Sequence, residues 1–124
     1  MKIFKTLLLI ILFFSIENSY SQFSPAELLT KGQEKFYSGE FPEAIKFFSD
    51  YISVATNAVN GYNYRGLSYM ASNDYTRAVQ DFTSIITINS SNYEAYSNRG
   101  NAYFLQGNMS SANADFTSSI QYGP

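Results

Sequence analysis

The 124-residue chain contains no cysteine and no histidine. Without cysteine no disulfide can hold an exported chain of this size, so packing must carry its stability. Without histidine or cysteine the usual transition-metal ligands are missing. The base–nucleophile couples of covalent catalysis go with them. The nearest acidic pair, Glu40 and Glu43, flanks a predicted turn at the start of a helix. Carboxylates there favour the helix dipole and stand in water. The seven glycines are scattered, and no glycine-rich phosphate loop occurs. Basic residues form no cluster, which phosphate binding would require, so nucleic acid is not an expected partner. No enzymatic activity, metal or cofactor is expected.

The first residues are of another kind. Lys2 and Lys5 precede an almost wholly apolar run from Leu7 to Ile16, and a polar stretch from Glu17 to Tyr20 follows. Ser19 and Ser21 supply small residues at the −3 and −1 places before Gln22, the plan of a cleaved secretory signal spanning 1–21. The apolar run is about half the ~20 residues that a bilayer demands, so no stable membrane insertion is expected after cleavage. No cysteine at the junction offers a lipid anchor. The expected locale is therefore periplasmic, cell-envelope or secreted. Past residue 21, six basic residues face nine acidic ones, a net charge of −3. Asn89-Ser90-Ser91 and Asn108-Met109-Ser110 match the glycosylation pattern, which matters only in a eukaryotic secretory route.

Beyond the leader the chain repeats itself. Gly32, Gly66 and Gly100 share one 34-residue period, as do Ala44, Ala78 and Ala112, and Phe48, Phe82 and Phe116. Three marker positions on one period define a tandem array over 25–58, 59–92 and 93–124. Each unit reads as two helices around a short turn: Ser38-Gly39-Glu40, Asn73-Asp74 and Gly107-Asn108. Ser24, Pro25 and Glu27 form a capping box that opens the first helix, which is predicted to end near Tyr37. Pro42 starts the next, and Ala44, Phe48 and Ile52 at i, i+4 and i+8 share its inner face. Ser91 to Glu94 reads as a second capping box. The small residues are expected to let the two backbones of a hairpin approach, with the phenylalanines filling the space beside them.

Arg65 with Asp81, and Arg99 with Asp115, occupy corresponding places in the second and third units, where the first unit has Lys31 and Phe47. The pattern predicts an ion pair between the two helices of each hairpin.

The period, the order of the markers and their local wording resemble the tetratricopeptide repeat (TPR) family. The resemblance implies an all-α fold, an α-solenoid of three stacked antiparallel helix hairpins in a right-handed superhelix. It implies a non-catalytic protein-interaction role, with the first helices lining a concave groove for a partner's peptide or helix. By position the lining would be Leu29, Gln33, Phe36 and Tyr37, then Asn60, Asn63, Tyr64, Leu67 and Met70, then Glu94, Ser97, Asn98, Asn101 and Phe104. The asparagines could bond a peptide backbone in both directions, and Phe36, Met70 and Phe104 would supply apolar contact at one-repeat spacing. One TPR subclass grips chaperone C-terminal carboxylates with a Lys/Asn/Arg clamp. Its positions here hold Leu29, Gln33, Tyr64, Glu94 and Asn98, which supply no cation.

Terminal repeats of such arrays need polar caps. No capping helix follows the third unit, so Phe104, Phe116 and Ile120 are expected to be exposed. Two readings stay open: a structural component that self-associates through Phe116 and Ile120, or a piece of a longer array.

Overall fold

The computed structural model describes residues 2–7 and 22–124; the expected signal segment therefore lies largely outside the described residues. Residues 2–7 are helical. From Pro25 onward there are six helices: α1 (Pro25–Tyr37), α2 (Phe41–Val54), α3 (Val59–Ala71), α4 (Tyr75–Ile88), α5 (Tyr93–Leu105) and α6 (Met109–Tyr122). No strand occurs among the described residues, and no helix there is long and apolar enough to cross a membrane.

Local chemistry sets the boundaries. Ser24 caps α1: its hydroxyl accepts from the Glu27 amide, and the Glu27 carboxylate accepts from the Ser24 amide at 2.7 Å. That exchange satisfies two of the helix's orphan donors and holds the Glu27 carboxyl below its usual range. At the start of α5 the cap is Asn92 rather than the expected Ser91: its side chain accepts from the Ala95 amide at 2.9 Å. Ser91 is turned away from the helix: its amide and its hydroxyl both donate to the Asn89 side-chain oxygen, at 3.1 and 2.9 Å. The turns inside the hairpins repeat as the markers do. Gly39, Asn73 and Gly107, one per turn, all adopt positive φ (76°, 60° and 81°). Glycine takes that conformation freely, and asparagine is among the few other residues that tolerate it.

Consecutive helices pack as three hairpins, α1 on α2, α3 on α4 and α5 on α6, and each hairpin packs on the next. The first helices also touch in sequence, α1 with α3 and α3 with α5, whereas α2, α4 and α6 do not touch one another. Elements on the inside of a bend lie closer than those outside, so the array curves with α1, α3 and α5 on its concave side.

Phe48 and Phe82 are fully buried, with Ala44 and Ala78 beside them. A Cβ built on Gly32, Gly66 or Gly100 would meet the ring of Phe48, Phe82 or Phe116 at 2.5–2.8 Å. The marker glycine is thus small chiefly to admit a phenyl ring sixteen residues on. Gly61 does the same between hairpins: a Cβ there would lie 2.6 Å from Tyr51 and 2.7 Å from Ile52.

Both expected ion pairs form. Arg65 donates Nε and Nη2 to Asp81 at 2.9 and 2.7 Å, and Arg99 does so to Asp115 at 2.8 Å for each bond. Each arginine also reaches back one hairpin: Nη1 of Arg65 donates to the Ser49 hydroxyl at 3.0 Å, and Nη1 of Arg99 to Thr83 at 3.1 Å. One guanidinium therefore ties three helices and fixes the stacking register. Burial pushes the Asp81 carboxyl above its usual range, opposed by Arg65, while the bond to Asp81 raises Arg65. Such pairs are better at specifying geometry than at adding stability.

Candidate functional site: the concave face of the first helices

The two seams between the inner helices are built differently. The seam between α1 and α3 is aromatic. Phe36 packs edge-on against Tyr64, with ring centres 5.6 Å apart, and against Tyr37 at 5.3 Å. The hydroxyls of Tyr37 and Tyr64 pair at 3.3 Å, and that bond raises the Tyr37 hydroxyl above its usual pKa. Tyr64 also stacks on the buried Phe48 at 5.4 Å, so its ring belongs to core and groove at once. Tyr37 is 74% exposed and forms the rim.

Amides close the seam between α3 and α5. Asn98 donates its Nδ2 to the Oδ1 of Asn63 at 3.2 Å. That single bond uses one donor of Asn98 and one acceptor site of Asn63. The NH2 of Asn63 and the carbonyl of Asn98 keep their hydrogen-bonding capacity, a donor and an acceptor side by side. Exchanging the two ends of both amides would leave the same complementary couple.

The other expected lining residues fall into three groups. Leu67 and Met70 are half-buried and lean on the central core of Ala78, Phe82, Ile85, Ala95 and Ala102. Gln33, Phe36 and Ser97 are also half-buried, whereas Asn101 is exposed and Phe104 is 53% exposed. Asn60 is exposed at the mouth of a cleft of about 440 Å³ that the α2–α3 connection, Ile88, Asn89 and Asn92 complete. Ser97 and Asn98 line a second cleft of about 300 Å³ with Tyr93, Glu94 and Ser119. The amides of Asn57, Asn89 and Asn92 at the first cleft were not anticipated, because they lie in connections rather than on a helix face.

Glu94 is the one charged residue among these lining positions. No group of three or more acidic side chains able to hold a metal ion occurs among the described residues. No buried side-chain nitrogen or oxygen lacks a partner among the described residues either.

Residues 66–107 match the family model described as TPR repeat. No curated protein matches the chain by sequence. Among solved structures it is similar to the first TPR of Spaghetti (RPAP3) bound to the HSP90 peptide SRMEEVD, at 24% identity over 81% of this chain and 79% of that one, with a TM-score of 0.76. It is similar to PcrH in complex with the chaperone-binding region of PopB, at 14% identity over 82% and 84%, TM-score 0.77. The Sgt2 TPR domain from Aspergillus fumigatus aligns at 20% identity over 79% and 65%, TM-score 0.75. The likeness across the array gives this chain the all-α solenoid fold of those TPR structures, and its central residues 66–107 match the repeat model.

Proposed function

We propose that the chain is an exported, non-catalytic binding module whose concave face holds an extended, uncharged segment of a partner protein. The observation that carries this reading is the Asn63–Asn98 pair, which leaves one amide donor and one amide acceptor unused between α3 and α5. An extended peptide unit offers the complementary C=O and N–H, so the pair can hold main chain whatever the side chains are. The aromatic seam of Phe36, Tyr37 and Tyr64, one repeat away, supplies apolar contact for the same segment.

Charge narrows the partner. A neighbouring structure holds the acidic peptide SRMEEVD; here Leu29, Gln33, Tyr64, Glu94 and Asn98 provide no cation for a terminal carboxylate. An internal, neutral stretch fits this surface better. Export rests on the leader of residues 1–21, with its basic start, apolar run and small residues before Gln22.

Selection from a displayed library of end-capped peptides tests the proposal. Enriched sequences should be neutral. Asn63→Ala with Asn98→Ala should weaken the best binder roughly tenfold, from two lost hydrogen bonds of about 0.5–1.5 kcal/mol each. Enrichment of acidic C-termini, or binders indifferent to both substitutions, would overturn it.

A further inference from the structure

Two chain connections, one repeat apart, meet in the cleft beside Asn60. The α2–α3 connection brings Asn57 to it, and the α4–α5 connection brings Asn89 and Asn92. With Tyr51, Val59 and Ile88 they enclose about 440 Å³. Small-molecule sites fall in the range of roughly 300–1,000 Å³. None of the described residues that line the cleft is charged.

Three of its amides are fixed end for end. Oδ1 of Asn57 accepts from the Val59 amide at 3.1 Å, and Oδ1 of Asn89 from the Ser91 amide at 3.1 Å. Oδ1 of Asn92 accepts from the Ala95 amide at 2.9 Å. A main-chain N–H can only donate, so each bond identifies the oxygen and leaves no choice of which end is nitrogen. Each side chain thus commits its oxygen to its own backbone, and its NH2 has no partner among the described residues. Tyr51 is buried and donates its hydroxyl to the Asn57 carbonyl at 3.1 Å, which leaves the hydroxyl oxygen able to accept. The cleft is neutral and rich in donors, with Val59 and Ile88 as its apolar part.

We infer that this cleft binds a neutral mono- or disaccharide. Without a cation it does not favour a phosphate, sulfate or carboxylate, and without an acid it does not favour an amine or a metal ion. What remains is a neutral molecule with more acceptor sites than donors. Each sugar hydroxyl accepts twice and donates once, while ring and glycosidic oxygens only accept. A pyranose carries an oxygen on nearly every carbon, so one small molecule can accept from several amides at once. An extended peptide carries one carbonyl per residue and turns successive ones to opposite sides. The sugar's hydroxyl hydrogens have the Tyr51 oxygen, the Asn60 side chain and water to donate to, and its C–H faces have Val59 and Ile88. Asn63 and Asn98 take no part, so the inference does not rest on the concave-face reading.

The test is an NMR titration of the labelled full chain with N,N′-diacetylchitobiose and, separately, with maltose. At least one of them should shift the NH2 signals of Asn57, Asn89 and Asn92 together, to saturation. Asn89→Asp and Asn92→Asp keep the oxygen that holds the local backbone and remove the donor. Each should weaken binding roughly fivefold. Asn92→Asp should do so with no loss of thermal stability, since aspartate caps a helix as well as asparagine does. Asn113→Asp, which adds the same charge on α6, should change nothing. Silence of the three NH2 groups toward both disaccharides at millimolar concentration would overturn the inference, as would binding indifferent to Asn89→Asp and Asn92→Asp. So would a stronger response to glucuronate, which would make this a carboxylate site. A response to end-capped peptides alone would also overturn it, since the cleft would then belong to protein docking.

Discussion

Helices α4 and α6 carry the same markers in the same order, Ala78, Asp81 and Phe82 against Ala112, Asp115 and Phe116, yet they live in different surroundings. Helix α4 is covered by α3 on one side and α5 on the other, and Phe82 is fully buried. Among the described residues α6 packs only on α5, and Phe116, expected to be exposed, is partly buried rather than fully buried or exposed. Identical residues at identical helical positions therefore carry different weights. In a stacked array stability is a sum of unit and neighbour contributions, and among the described residues α6 has one neighbour fewer than α4.

Paired substitutions sharpen or break that comparison. The largest contrast is expected at the phenylalanines: Phe82→Ala should cost about 4 kcal/mol of unfolding free energy and Phe116→Ala about half as much, measured by urea denaturation. Equal losses would mean that Phe116 is covered in solution. At the acids no contrast is expected. Asp81→Ala and Asp115→Ala each orphan a bidentate arginine of similar burial, and each should cost ~2 kcal/mol. Gly66→Ala should cost about 1–2 kcal/mol, the overpacking of a fixed ring exceeding the gain in helix propensity. Gly100→Ala should cost less, roughly 0.5–1 kcal/mol: the partly buried Phe116 has more room to yield, but the Asp115 Cβ, 3.3 Å from the added methyl, is held by Arg99. Smallest is the hydroxyl: Thr83→Val removes an acceptor of Arg99 and should cost roughly 0.5–1 kcal/mol, whereas Thr117→Val should have no measurable effect.

Much of this architecture was legible in the 34-residue period. The markers located the hairpins, and Arg65 with Asp81, sixteen apart and repeated at Arg99 with Asp115, announced a contact between helices. The third bond of each arginine was not announced. Ser49 and Thr83 are ordinary hydroxyls in a serine- and threonine-rich chain, and only the stacked geometry shows what they receive. The role of the glycines was legible as smallness but not as a socket for a ring, because sequence does not say which neighbour fills the space. The cap at α5 lies one residue past the expected one, since Ser91 with Glu94 matches the capping-box pattern while Asn92, three before Ala95, caps with its side chain alone. In the candidate site, the asparagines could be placed on the inner helices by position. The pairing of Asn63 with Asn98 depends on the distance between α3 and α5, which no periodicity contains.

The most direct test of the functional account is a side-chain amide NMR titration. A pool of end-capped, uncharged decapeptides would be added to the labelled chain while the NH2 resonances of all asparagines are followed. The account predicts that Asn63 and Asn98 shift together and saturate, with Tyr37 and Tyr64 ring signals moving alongside and Asn113 on α6 unmoved. Shifts confined to the loop asparagines Asn57, Asn89 and Asn92, with Asn63 and Asn98 silent, would contradict it.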